Sequence, residues 1–232
     1  MSEGDVFVQL SGVETRSAIG NVGAVANEPL ADGGRKYSTT TQTGNRSVAA
    51  SGPEGVATKY IGRADQKYVR ERRVERCVAA WLIRRGHTVD VAGIAKEDHS
   101  HDQRGADGVL TVDSDPVELQ VVTIPADGDL WRDAAQQGHA EQSRTWDEWV
   151  RCVSEAIEGK RAKYPPEVRQ AMLLALDAEH VGPLIASPEV LAEISRNYES
   201  SPGGRFWAVL IVGPTENDVA PIGEQPTVAP RA

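Results

Sequence analysis

The stretch GADGVLTVDSDPVELQVVTIP, Gly105 to Pro125, decides the fold. Two runs rich in Val, Leu, Ile and Thr, residues 108–112 and 117–124, flank Asp113-Ser114-Asp115-Pro116. Such runs on either side of turn formers predict a β-hairpin. On its second strand Glu118 and Gln120 are two residues apart and share a face, while Leu119 and Val121 point the other way. A charged Glu within so apolar a run is costly to bury without a partner or a metal. Asp107 stands at the entrance of the first strand. A turn over Asp113-Ser114-Asp115 would set it beside Gln120 and diagonal to Glu118, about 7–8 Å between Cα atoms. Two carboxylates so spaced can share one hard cation. Mg²⁺ held by one or two carboxylates, a carbonyl and waters suits phosphate chemistry.

Working outward, residues 65–85 (DQKYVRERRVERCVAAWLIRR) predict a helix with Asp65 as N-cap and Gly86 just past its end. Val74, Cys77, Val78, Trp81 and Leu82 form its apolar stripe. Glu75 shares an edge with Val78 and Leu82, and Glu71 lies one turn back. Residues 88–92 read as a strand and 96–105 as a polar loop. Within that loop His99-Ser100-His101-Asp102 lacks the further ligands of a metal motif. Residues 145–164 predict a second helix, stopped by Pro165-Pro166, with Trp146, Val150, Val153, Ile157 and Tyr164 on its apolar face. Residues 171–176 read as a buried strand and 188–197 as a helix capped by Ser187. Residues 206–212 (FWAVLIV) read as a last buried strand. The order α-β-β-β-α-β-α-β predicts an α/β fold, a mixed sheet flanked by helices.

Composition sets the limits. Of the first 60 residues, 21 are Gly, Ser or Thr and none is Trp. Residues 37–55 show no apolar periodicity, so residues 1–60 are expected to be a disordered arm. Residues 6–10 stand out within it as a short strand or binding segment. Residues 214–232, with four Pro, are expected to be a disordered tail. The folded unit is then 61–213, about 150 residues, enough for one core. No run approaches the roughly 18 apolar residues of a membrane span. Nor does the N-terminus show a basic region followed by an apolar one, so a cytoplasmic protein is expected. Two cysteines exclude a disulfide framework, and Cys77 and Cys152 read as reduced thiols on helix faces. His139 and His180 read as surface residues. The net charge of −9 is uneven: residues 61–85 carry +5, and residues 86–232 carry −13. Arg70, Arg72, Arg73 and Arg76 are therefore candidates for phosphate contacts.

The order helix–strand–hairpin–helix–strand, with Asp107 and Glu118-Leu119-Gln120 on the hairpin, resembles the PD-(D/E)XK (restriction-endonuclease-like) nuclease superfamily. VERCVAAWLIRRGHTV, residues 74–89, looks like that superfamily's first helix and strand, and SEAIEGKRAKYP, residues 154–165, like the helix after the hairpin. The resemblance spans roughly residues 65–177 and implies an α-β-β-β-α-β core with Mg²⁺- or Mn²⁺-dependent hydrolysis of DNA. Asp107, Glu118 and the Leu119 carbonyl would hold the metal. Gln120 would position the attacking water, Glu75 would face the site, and Lys160 or Lys163 would bring a positive charge from the following helix. A homodimer is compatible with it. The chain departs from the pattern with Ala106 where Pro is usual and Gln120 where Lys is usual. A Gln supplies no charge, which leaves a second reading: a non-catalytic module of the same fold that binds DNA or a protein. A third is an unrelated α/β interaction domain in which Asp107 and Glu118 serve structure alone.

Overall fold

The computed structural model describes residues 22–31, 33–41, 46–61, 67–90, 106–125, 128–181, 185–202 and 204–224. Four strands come first: β1 (Val22–Pro29), β2 (Arg35–Thr41), β3 (Arg46–Gly52) and β4 (Gly55–Ile61). Helix α1 (Lys67–Arg84) leads to the hairpin β5 (Gly108–Val112) and β6 (Asp115–Thr123). Then follow α2 (Gly128–Gln137), β7 (His139–Thr145), α3 (Trp146–Lys163), the short α4 (Pro166–Arg169) and β8 (Met172–Asp177). Helix α5 (Pro188–Ser200), β9 (Ala208–Val212) and β10 (Val219–Pro221) complete the described chain. The protein is α/β, with two five-stranded sheets ordered β1-β2-β3-β4-β7 and β10-β9-β8-β6-β5.

The second sheet is built as its sequence dictates. Every residue of β8 (MLLALD) and of β9 (AVLIV) is buried. Continuous apolar runs of this kind belong to parallel strands covered on both faces, and β6–β8 and β8–β9 pair in parallel. Met172, Leu174 and Leu176 face one core with Trp149, Val150, Val153 and Ile157 of α3 and Val190 and Ile194 of α5. Leu173 and Ala175 face the other, with Val74, Cys77, Val78, Trp81 and Leu82 of α1. Helix α3 opens on a capping box: the Thr145 hydroxyl accepts the Glu148 N–H, and the Glu148 carboxylate accepts the Thr145 N–H.

The hairpin is tighter than the sequence reading had it. Val112 pairs with Asp115, so Asp113 and Ser114 alone make the turn, both at positive φ, 50° and 78°. Asp113 is pinned there: its carboxylate meets His87 Nδ1 at 2.7 Å and accepts the Thr88 N–H at 2.8 Å. Ser114 has no such anchor among the described contacts. Such turns favour Gly or Asn, because a Cβ at positive φ is crowded. Ser114→Gly should therefore raise stability by about 0.5–1 kcal/mol, read as a higher urea midpoint, while Asp113→Gly should lower it. The strand expected over 88–92 reduces to a bridge between Val89 and Val112; its last residues lie outside the described ones.

The expected disordered arm needs correction. Within 22–61 the described residues form four antiparallel strands, and β7 completes their sheet by pairing with β4. Residues 1–21, with the segment 6–10, lie outside the described residues. The buried positions alternate (Tyr37 and Thr39, Ser47 and Ala49, Val56, Thr58 and Tyr60), but most are small or polar. Hydropathy therefore does not report their period of two. Tyr37, Ala49 and Val56 join the α3 core. At the β3–β4 turn, Trp146 Nε1 donates to the Gly52 carbonyl at 3.1 Å. The expected domain start at 61 thus cuts through one packed unit. The tail is corrected too: part of 214–224 pairs as β10 with β9, and residues 225–232 lie outside the described ones. Helix α2 and β7 were not expected either. Among the described residues no helix is long and apolar enough to cross a membrane.

Candidate functional site

The register of the hairpin assembles the candidate residues. Gly108 pairs with Leu119, and the Asp107 N–H donates to the Leu119 carbonyl at 2.9 Å. Asp107 therefore stands opposite Gln120, on the face that Glu118 shares. The contact is direct: Asp107 Oδ2 accepts from Gln120 Nε2 and also from the Val121 N–H, the latter at 2.9 Å. Glu118 is half-buried and pairs with the exposed Val109. Leu119, the expected carbonyl ligand, is buried and already accepts the Asp107 N–H.

Gln120 is not poised as expected. It is 3% exposed, and its amide spans two protein groups. Nε2 donates to Asp107, and Oε1 accepts from the Tyr164 hydroxyl. The amide is thus a bridge between the hairpin and the end of α3 rather than an open hook for water. Lys160, half-buried, lies one turn before Tyr164 on α3. The exposed Lys163 sets its ammonium 5.0 Å from the centre of the Tyr164 ring.

Glu75 arrives from the other side. Helix α1 packs on the opposite face of the sheet from α3, and its Glu75 carboxyl sits on the backbone of Gly108. A Cβ at Gly108 would lie 2.3 Å from Glu75 Oε1, so a larger residue there would displace the Glu75 carboxyl. Burial pushes the Glu75 carboxyl up to about 7, with Glu71 and Asp107 adding to the rise and Arg72 and Arg76 opposing it. Arg72 Nη1 is 3.5 Å from Glu75 Oε2. Folded Glu75 holds its proton more tightly than an ordinary glutamate, whose pKa is 4.5, so its contribution is complete below that pH and is lost as pH rises through about 7. Asp218, also raised by burial, acts in the same direction. Glu75→Gln should flatten the pH dependence of urea unfolding between pH 5 and 8. At pH 8 it should gain up to about 2 kcal/mol, after allowing for solvent screening at the sheet edge.

The cations of α1 divide. Arg76 is exposed, and Arg70 Nη1 donates to Thr123 Oγ1 at 2.9 Å. Arg73 is buried and bonded to the Asp177 carboxylate and the Gly213 carbonyl, with its Nε 3.7 Å from Glu179. It is therefore removed from the candidates for phosphate contact. His180, expected at the surface, is half-buried against Tyr60, with its Nδ1 2.8 Å from Ser47 Oγ. Cys77 is buried, and burial pushes its thiol up to about 11, as suits an inert core residue. The run 99–102 and the cap at Asp65 lie outside the described residues.

Among the described residues no three His, Cys, Asp or Glu side chains converge as a ready-made metal cage. What the hairpin offers is sparser: two carboxylates on one face, with the Leu119 backbone carbonyl directly after Glu118 in sequence. Tyr164 is the member of this constellation that the sequence reading passed over. Its place directly after the basic turn KRAK and before two prolines was the available signal. The chain matches no protein-family model, no curated protein and no solved structure.

Proposed function

We propose that this protein is a metal-dependent deoxyribonuclease of the PD-(D/E)XK type, acting in the cytoplasm on DNA. The observation that carries the reading is the pairing of Asp107 with Gln120 across the hairpin, with Glu118 on the same face. The connectivity supports it: α1, the bridge at Val89, β5, β6, α3 and β8 follow the order that the resemblance implies, with α2 and β7 inserted between β6 and α3 and with β6 and β8 parallel. The donor set suits Mg²⁺ or Mn²⁺, since carboxylates and carbonyls are hard oxygen ligands and Mg²⁺ needs only one or two carboxylates. Asp107, Glu118 and the Leu119 carbonyl would hold the ion. When bound, it would lower the pKa of a water and take up charge from the scissile phosphate.

The chain's own residues have distinct tasks in this scheme. Asp107 and Glu118 supply negative charge on one face. Gln120 and the Val121 N–H fix the Asp107 carboxylate. Glu75, with its raised pKa, is suited to hold or accept a proton near neutral pH at the edge of the site. The exposed Arg76 on α1 and Lys163 on α3 are cations available for contacts with a phosphate backbone.

The second reading, a non-catalytic module of the same fold that binds DNA or a protein, is favoured by the neutral Gln120 and the engagement of its amide on both sides. One assay separates the two. Purified protein with Mg²⁺ or Mn²⁺ should nick supercoiled plasmid, and chelation should stop it. Retarded DNA without cleavage at any metal concentration would favour the second reading. Activity unchanged by Asp107→Ala and Glu118→Ala would mark a contaminant.

A further inference from the structure

We propose that Tyr164 is a positioning residue for the candidate site, acting through Gln120 on Asp107. The inference rests on the metal-dependent reading above and assigns to that site a part which the hairpin motif does not contain. A glutamine side chain has three rotatable bonds and a two-sided amide, so by itself it holds nothing in place. Here its orientation is forced. Asp107 Oδ2 accepts the Val121 N–H, so the atom of Gln120 that meets the same oxygen must be a donor, Nε2. Oε1 must then face Tyr164, whose hydroxyl donates to it. The flipped amide would set Oε1 against a carboxylate oxygen.

Tyr164 is itself well held. It is 8% exposed and is the C-cap of α3, its N–H donating to the Lys160 carbonyl at 3.2 Å, and Pro165 and Pro166 fix the chain beyond it. The end of α3 is thus tied through two hydrogen bonds, by way of the uncharged Gln120 amide, to one oxygen of Asp107. The link passes orientation and no charge. It also suits a glutamine at position 120. A lysine has donors only, and would give the tyrosine proton no acceptor.

The test uses the full chain and Mn²⁺ alone, titrated without DNA, at a temperature where every variant is folded. Gln120→Leu should weaken Mn²⁺ binding about tenfold, the lower range for loss of a group that orients a metal ligand. Tyr164→Phe, one hydrogen bond further out, should weaken it about threefold to fivefold. The double variant should bind no more weakly than Gln120→Leu, because Tyr164 acts only through Gln120. A purely structural role would lower the unfolding midpoint of Tyr164→Phe and leave Mn²⁺ affinity untouched. Wild-type affinity in Tyr164→Phe, or losses that add in the double variant, would overturn the proposal and leave the metal site standing. Wild-type protein that takes up no Mn²⁺ sensitive to Asp107→Ala would overturn both.

Discussion

Replacing Arg73 with leucine should cost about 3–5 kcal/mol of folding free energy, the range for removing one partner of a buried ion pair. Arg73 is 3% exposed and faces two carboxylates nearly as buried, Asp177 and Glu179. Burial opposes its charge, but these two anions hold it more firmly protonated than a free arginine. Without it both carboxylates would stay in the interior with no cation. Among the described residues one Glu179 oxygen there already has no hydrogen-bond partner. The cluster also joins elements distant in sequence. Arg73 belongs to α1, Asp177 ends β8, and Gly213, whose carbonyl takes Nη1, follows β9. Tyr37 comes from β2, its hydroxyl kept protonated by burial and by the nearby Asp218. For a chain of this size the loss corresponds to a fall in melting temperature of about 10 °C. Arg73→Lys should recover only part of it, since an ammonium keeps the charge and loses the planar fork. Changing Arg73, Asp177 and Glu179 together to apolar residues should recover most of it. A loss below about 1 kcal/mol for Arg73→Leu would show that water reaches the cluster.

This arginine also marks where sequence reading succeeds and where it stops. Its apolar neighbours on α1 are legible, because Val74, Cys77, Val78, Trp81 and Leu82 repeat at helical spacing and all five are buried. Arg73 sits beside that stripe and carries a charge, so its neighbours' charge suggested a phosphate-binding face. Burial came from Asp177 and Glu179, 104 and 106 residues away, whose meeting with it no local pattern encodes. The hairpin pairing of Asp107 with Gln120 was legible for the opposite reason. Alternation and a short turn fix register within one stretch, and both ends of the pair lie inside it. The sheet of β1 to β4 was not. Its inward residues, such as Thr39, Ser47, Ala49 and Thr58, bury little apolar area each, and the sheet gains its stability from the α3 core and β7. By its spacing Tyr164 is the last apolar residue of a helix. That is correct as far as packing goes, but its hydroxyl depends on where the hairpin lies.

Glu118→Gln should reduce metal-dependent cleavage about a thousandfold, equivalent to roughly 4 kcal/mol of transition-state stabilisation, with stability changed by less than about 1 kcal/mol. The substitution keeps the shape and removes the charge of a half-buried side chain that faces the exposed Val109. Asp107→Ala should lose cleavage to the same extent and stability as well, by about 1–3 kcal/mol. Its carboxylate is the acceptor for both the Gln120 amide and the Val121 N–H, so alanine leaves two donors without that oxygen. The two variants therefore separate chemistry from folding. If both carboxylates serve structure alone, cleavage should follow the folded fraction, and Glu118→Gln should cut as well as wild type. If the site hydrolyses DNA, Glu118→Gln should be folded and inactive, and Asp107→Ala inactive even at low temperature, where its fold is secure. Plasmid nicking by both variants at two temperatures, beside their urea midpoints, decides between these outcomes. The first pattern would leave the acidic hairpin as a packing device that binds no catalytic metal.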